Sequence, residues 1–92
     1  MDIEITNENY EQKIAEHKNL NILITQTRCA ACPSVKAWWK YGPIINTDEV
    51  FEPEDIATIS HTPSMLIYRD GKLVGGFPCE SQKQTEHIIG CN

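Results

Sequence analysis

The sequence predicts a single α/β domain built around a mixed β-sheet flanked by helices. Residues 20–25, Leu-Asn-Ile-Leu-Ile-Thr, are rich in branched side chains and almost continuously apolar, which is typical of a strand buried on both faces. Two further apolar runs, at 64–68 and 73–77, are separated by a turn containing Asp-Gly, the signal of a β-hairpin. With 92 residues, the chain has room for one hydrophobic core, so we expect one domain over residues 1–92.

The other elements are predicted from local signals. A short β-like segment at 3–6 precedes a helix over 8–18, for which Asn7 is the expected N-cap. Pro33 in a first helical turn and a Gly-Pro pair at 42–43 bound a second, short helix. The remaining elements are a strand at 44–47, a helical turn at 54–60 and a last helix at 80–89 capped by Ser81. The order β-α-β-α-β-α-β-β-α gives a sheet of about four to five strands.

Composition limits the possible partners. Thirteen acidic residues against eight basic ones give a net charge of −5, which argues against nucleic acid because phosphate binding needs clustered Lys and Arg. No segment has the length and apolar character of a membrane span. The acidic N-terminal segment lacks the apolar core of a signal peptide, so we expect a cytoplasmic protein whose cysteines are mostly thiols.

The segment Cys29-Ala-Ala-Cys32 carries the chemistry that the sequence predicts. These two of the four cysteines are the only ones close enough in sequence to react with each other directly. Cys29 lies where a strand gives way to a helix, and the free N–H groups there, together with the charge of Arg28, favour a thiolate. We therefore expect Cys29 to attack a foreign disulfide and the less exposed Cys32 to resolve the mixed disulfide.

A pair of cysteines at this spacing can also be half of a zinc site. A tetrahedral site usually draws on two such pairs, and the chain has one, so a metal-binding module would need Cys79 or a histidine as well. His61 precedes Thr62 and is expected either to tune Cys29 or to be an ordinary loop histidine.

The other two cysteines flank the last predicted helix. Their separation along an α-helix is roughly 18 Å at about 1.5 Å per residue, whereas a disulfide requires Cα atoms within roughly 7 Å. Cys79 and Cys91 are therefore not expected to pair. Cys79 is interpreted either as an accessory thiol, open to glutathionylation, or as a plain buried or surface thiol.

The order of elements, the cysteine pair between a strand and a helix, and Thr62-Pro63 before the hairpin together resemble the thioredoxin fold. Residues 62–72 closely resemble the corresponding thioredoxin segment. The resemblance implies that Cys29 is the nucleophile, that Cys32 is the resolving thiol and that Pro63 is a cis-proline beside them. It also implies that the backbone at Thr62 pairs with an extended substrate segment, like a strand added to a sheet edge.

The resemblance further implies that Gly75 and Gly76 lie near the active site and leave room for a close backbone approach; the alternative is that the pair marks a strand end or a β-bulge. Such a glycine pair favours a resemblance to glutaredoxins, which bind glutathione near this segment. Two features depart from thioredoxins. Alanines stand between the cysteines in place of Gly-Pro, and Leu23 occupies the position where thioredoxins usually carry a buried acid.

The resemblance implies a small thiol-disulfide oxidoreductase that reduces protein disulfides, and we expect it to be a monomer. No bound cofactor and no metal is expected, and electrons come from an NADPH-dependent thioredoxin reductase or from glutathione. The alternatives are a glutathione-dependent glutaredoxin and an iron–sulfur or zinc module using the same cysteines. A non-catalytic adaptor is disfavoured because both cysteines are present.

Overall fold

The structure, a computed structural model, describes residues 3–92, which form four strands, three α-helices and one 3₁₀-helix. In chain order these are α1 (Tyr10–His17), β1 (Leu20–Thr25), α2 (Cys32–Lys36), β2 (Ile44–Asn46), the 3₁₀-helix (Glu54–Thr58), β3 (Ser64–Arg69), β4 (Lys72–Pro78) and α3 (Gln82–Cys91). The strands form one mixed sheet in the order β2-β1-β3-β4. None of the helices in this part of the chain is long and apolar enough to cross a membrane.

Strand β1 lies inside the sheet, as its apolar sequence predicts, and all but one of its residues are buried. It runs parallel to β2 and antiparallel to β3, with Thr25 opposite Asn46 and Ile24 opposite Ser64. The carboxyl ends of β1 and β2 therefore meet the start of β3 at one edge of the sheet. Both the loop that carries the cysteine pair and the loop that carries Pro63 leave the sheet at this edge.

The β3–β4 hairpin is confirmed, and its turn explains the Asp-Gly signal. Asp70 and Gly71 have φ angles of 56° and 76°, so both central residues occupy the left-handed region required by a type I′ turn. The Gly71 amide also donates a hydrogen bond of 3.0 Å to the carbonyl of Lys18, which fastens the turn to the end of α1.

Alternate residues of β1 enter two separate apolar clusters, one on each face of the sheet. Leu20, Ile22 and Ile24 belong to the cluster covered by α1 and the 3₁₀-helix. Leu23 belongs to the second cluster, which α2 and α3 cover together with Trp39. The predicted two-sided burial of β1 follows directly from this arrangement.

The predicted strand at 3–6 is wrong, because those residues have no strand partner in the structure. Ile5 is buried in the first cluster, but its neighbours bond to a side chain instead of to a sheet. The Thr6 amide donates to Asn9 Oδ1 at 2.7 Å, and Asn9 Nδ2 donates to the carbonyl of Glu4 at 3.0 Å.

The assignment of Asn7 as helix cap is also wrong. The residue at the cap position of α1 is Asn9, which makes no side-chain capping bond. The Asn7 side chain instead accepts hydrogen bonds from the amides of Phe51 and Glu52, at 2.9 and 3.0 Å, and so holds a distant loop.

Helix α2 is shorter than predicted, since regular helix ends at Lys36 and a turn follows. The Trp39 indole N–H donates to the carbonyl of Gly42 at 2.7 Å, and Gly42 packs directly against the backbone of Asn21. Trp39 is buried and Trp38 is half-buried, because adjacent residues on a helical turn point in different directions.

The last two helical predictions hold with shifted bounds. The turn predicted at 54–60 is the 3₁₀-helix, with Pro53 at its N-cap. Helix α3 begins two residues later than expected and reaches Cys91. Its cap is confirmed, because Ser81 Oγ accepts a hydrogen bond of 3.2 Å from the amide of Gln84.

Candidate active site

Cys29 and Cys32 are joined by a disulfide, with their Cα atoms 5.4 Å apart. Cys29 lies in the loop after β1, whereas Cys32 is the first residue of α2, and the Cys32 amide donates to the Cys29 carbonyl at 3.3 Å. Cys29 is half-buried, but Cys32 is only 2% exposed. The order of exposure therefore agrees with the sequence prediction that Cys29 meets the substrate and Cys32 stands behind it.

The Thr62–Pro63 peptide bond is cis, as the resemblance implies, and Pro63 is buried immediately before β3. Together with the cysteine loop it borders a surface hollow of about 350 Å³, called here the Pro63 hollow. This hollow is lined by Ala31, Ser34, Val35, Trp38, His61, Thr62, Pro63, Cys79 and Glu80. The structure thus brings residues from three separate stretches of sequence to one surface beside the disulfide.

The backbone of Thr62 is free at this surface. Within residues 3–92, neither its amide nor its carbonyl makes a hydrogen bond, although the next residue's carbonyl accepts one from Cys79. Unpaired backbone groups at a half-buried loop can bond to an added extended segment. The resemblance implies that this backbone pairs with a substrate segment, and that role stays a prediction.

Arg28 is exposed and lies in a second hollow with Asp48. The Thr27 amide donates to Asp48 Oδ2 at 2.9 Å, and this bond, with the Thr27 side chain and then the charge of Arg28, lowers the pKa of the Asp48 carboxyl. A carboxylate therefore faces Arg28 and offsets part of the positive charge expected to favour a Cys29 thiolate. The tuning role of Arg28 stays a prediction.

No protein-family model and no curated protein matches the sequence. Solved structures do match. They include the X-ray structure of Fasciola hepatica thioredoxin, with a TM-score of 0.76 and 20% identity over 99% of this chain and 98% of that chain. The solution structure of oxidised thioredoxin from Plasmodium falciparum matches with a TM-score of 0.77 and 14% identity, over 94% of this chain and 91% of that chain. The crystal structure of thioredoxin f from spinach chloroplast matches with a TM-score of 0.80 and 10% identity, over 95% of this chain and 88% of that chain.

The chain has the thioredoxin fold. This confirms the predicted architecture, a mixed sheet with helices on both sides and a cysteine pair at the start of α2. The fold differs from the prediction at residues 3–6, which form no strand, so the sheet has four strands.

His61 lies at the rim of the Pro63 hollow of this thioredoxin fold, on the same face as the disulfide. Its imidazole is exposed, with Nδ1 3.3 Å from Ser60 Oγ, and its carbonyl accepts a hydrogen bond of 2.7 Å from Ser64 Oγ. The predicted influence of His61 on Cys29 stays a prediction.

Gly75 and Gly76 lie in β4, opposite Ile67 and Leu66, and neither lines the Pro63 hollow. Gly76 has a packing reason of its own, because a Cβ there would lie 2.7 Å from Ile59 Cγ2 beside the 3₁₀-helix. The register shift in the β3–β4 ladder falls next to Gly75 and marks an irregularity of the strand. The predicted substrate-binding role of the two glycines stays a prediction.

Leu23 is fully buried in the second apolar cluster, with Val35 and Cys79 among its members. The thioredoxin fold of this chain therefore carries an apolar side chain where thioredoxins usually have a buried acid. Cys32 begins α2 on the same face, so its proton must pass to groups other than a carboxyl at position 23.

Cys79 lies closer to the site than its sequence position suggests. It is 1% exposed, lines the Pro63 hollow and donates its amide to the Pro63 carbonyl at 3.2 Å. Its sulfur is 3.3 Å from Thr85 Oγ1, and burial raises the pKa of the thiol. Cys91 is exposed, and both thiols are free, in agreement with the prediction that they do not pair.

Sequence reasoning missed Gln26. This exposed residue follows β1 directly, and its Oε1 accepts a hydrogen bond of 3.0 Å from Thr62 Oγ1. No motif marks a glutamine at this position, and its partner is 36 residues away in sequence. The metal alternative gains no support, because residues 3–92 contain no group of three or more His, Cys, Asp or Glu arranged to hold a metal ion.

Proposed function

We propose that the chain is a thiol-disulfide oxidoreductase that reduces protein disulfides through Cys29 and Cys32. The observation that carries this proposal is the unequal exposure of the two bonded cysteines, and Ala31, which stands between them, lines the Pro63 hollow. A half-buried cysteine can meet a foreign disulfide, while a cysteine residue that is 2% exposed can reach little except its partner.

The reaction starts from the reduced pair. The Cys29 thiolate attacks one sulfur of the substrate disulfide, so that a Cys29–substrate bond forms, the substrate S–S bond breaks and the leaving thiolate takes a proton from water. Cys32 then loses its proton and attacks Cys29 Sγ, which releases the second substrate thiolate and forms the Cys29–Cys32 disulfide. Two electrons have passed from the chain to the substrate.

Two features favour proteins over small disulfides as substrates. The free amide and carbonyl of Thr62 are suited to pair with an extended backbone beside the reacting sulfur. The Pro63 hollow, with Trp38 and Val35 in its lining, offers an apolar surface for a side chain next to the substrate cysteine.

The oxidised pair must be reduced again. We propose an NADPH-dependent thioredoxin reductase as the electron donor, in a monomer acting in the cytoplasm, where thiols are kept reduced. The alternative donor is glutathione, for which the glycine pair in β4 is the supporting feature. An iron–sulfur or zinc module is the weaker alternative, since the described residues supply no ligand cluster.

The test is insulin reduction with dithiothreitol as electron source. The wild type should accelerate precipitation of the insulin B chain, and Cys29→Ser should not, whereas Cys91→Ser should retain the activity because its thiol is exposed at the far end of α3. Assays with NADPH and thioredoxin reductase, or with glutathione and glutathione reductase, separate the two donors. If neither donor system supports turnover, both proposed electron donors are wrong.

A further inference from the structure

The hydrogen bond between Gln26 and Thr62 joins the two loops of the candidate site. Gln26 begins the segment that leads to Cys29, and Thr62 precedes Pro63 in the facing loop. Among residues 3–92 it is the only hydrogen bond between segments 26–31 and 60–63. A single hydrogen bond from an exposed side chain therefore links the cysteine loop to the loop expected to bind a substrate.

The fold does not require this bond. Strands β1 and β3 are already paired up to Ile24 and Ser64, so the sheet anchors both loops at their bases. The Gln26 side chain is exposed and belongs to neither apolar cluster. An exposed glutamine loses rotamer freedom when it is held, so a bond of this kind contributes little to overall stability.

The loop has space to move without the bond. Behind Thr62 lies a hollow of about 260 Å³ with apolar groups from Ile56 and Ile59 at its wall, and Gln26 and Thr62 both line it. The Thr62 amide and carbonyl make no hydrogen bonds, so within residues 3–92 the side-chain hydroxyl is the only group of Thr62 itself that a hydrogen bond holds.

We propose that Gln26 is a positioning residue for protein substrates, holding the free backbone of Thr62 at a fixed place relative to Cys29. The inference rests on the proposed disulfide reductase function. Gln26 touches neither the substrate nor the reacting sulfurs in this proposal. It acts through the Thr62 hydroxyl, and its effect is on how well an extended substrate segment is bound.

The experiment compares variants that remove or retain the bond. Gln26→Met keeps the size of the side chain but lacks the acceptor, and Thr62→Val keeps the shape but lacks the hydroxyl. Each should raise KM for insulin about threefold to tenfold with kcat changed less than about twofold, which is the effect of losing one hydrogen bond. The double variant should be no worse than either single one, because both remove the same bond.

Rescue separates positioning from a general structural effect. Gln26→Glu retains an oxygen acceptor and Thr62→Ser retains the hydroxyl, so both should bring KM back to within about twofold of the wild type. Gln12→Met is the matched control, since Gln12 is exposed on α1 and lines none of the hollows described above. With a small aromatic disulfide, which has no backbone to pair with Thr62, the rate of Gln26→Met should fall less than with insulin.

Three results would overturn the inference. The first is a wild-type KM in Gln26→Met, the second is additive losses in the double variant, and the third is a melting temperature lowered in Gln26→Met and not restored in Gln26→Glu. An inactive wild type, with no insulin reduction at all, would instead overturn the proposed function.

Discussion

The amide of Cys79 donates a hydrogen bond of 3.2 Å to the carbonyl of Pro63. The bond ties the strand end that leads into α3 to the loop beside the active disulfide. It also holds the Cys79 thiol in the wall of the Pro63 hollow, where its sulfur contacts Thr85 Oγ1. A third cysteine therefore lines the same hollow as Ala31 and Pro63, and its low reactivity is expected from its burial.

The two free thiols should react at very different rates in the oxidised protein. Cys91 is exposed and should react fully with Ellman's reagent within minutes at pH 8. Cys79 is 1% exposed and burial raises its pKa, so little of it is thiolate and it should react only when the protein unfolds. The measurement is thiol titration before and after addition of guanidinium chloride, with mass spectrometry to identify the labelled residue. Cys91→Ser should remove the fast phase. Fast reaction of two thiols per native protein molecule would contradict this prediction.

Replacing the resolving cysteine should trap the substrate. In Cys32→Ser, Cys29 still attacks a disulfide, but no second thiol is present to release the product. We expect a mixed disulfide with insulin that is visible on a non-reducing gel and is lost on addition of dithiothreitol. Cys29→Ser is the matched control, because Cys32 is only 2% exposed and should trap much less. Equal trapping by both variants would show that the assignment of the two roles is wrong.

The Thr27–Asp48 hydrogen bond should give a pH signature in acid. The bond from the Thr27 backbone, and more weakly the charge of Arg28, lowers the pKa of Asp48 below its ordinary value of 3.8. A lowered folded-state pKa adds stability above the unfolded value, and this contribution is lost as the pH falls through the folded value.

The Thr27 amide resonance, followed by NMR, should therefore shift with a midpoint below pH 3.8. The inflection should vanish in Asp48→Asn, which cannot titrate. A midpoint at or above the ordinary value of an aspartate would show that the bond does not hold the carboxylate in solution.

Two glycine-to-alanine variants should change stability in opposite directions. A Cβ at Gly42 would overlap the carbonyl oxygen of Asn21 in β1, so Gly42→Ala should cost about 1–3 kcal/mol through backbone displacement. A Cβ at Gly90, inside α3, meets nothing within 4 Å, and Gly90→Ala should stabilise the domain by about 0.5 kcal/mol through the lower entropy of the unfolded chain. Urea denaturation measures both values. Similar losses in the two variants would contradict the close approach at Gly42.

The parts of the fold that the sequence predicted well rest on local signals. The bounds of β1 agree to the residue because six consecutive side chains carry the pattern, and the hairpin turn needs only its own two residues. The prediction of Asn7 as the cap of α1 is wrong because distant contacts determine where its side chain bonds. Asn7 is drawn away by amides 44 and 45 residues later, which no local pattern can indicate.

The same distinction applies to the site. The cysteine pair and Thr62-Pro63 were found because each is a compact motif, and the structure places both beside one hollow. Gln26 carries no motif, and its contact with Thr62 exists only when β1 and β3 are paired. The sequence marks Cys79 as a possible accessory thiol, but its hydrogen bond to Pro63 cannot be predicted locally, because it depends on the register of β4 against β3.

The neighbouring tryptophans give this domain an internal optical probe. Trp39 is buried with its indole N–H bound to Gly42, so its fluorescence should form a constant background. Trp38 is half-buried in the lining of the Pro63 hollow, so its emission should change when a ligand displaces water there. Substrate binding can therefore be followed by the emission spectrum and by acrylamide quenching of the unlabelled protein, with Trp38→Phe as the silent reference.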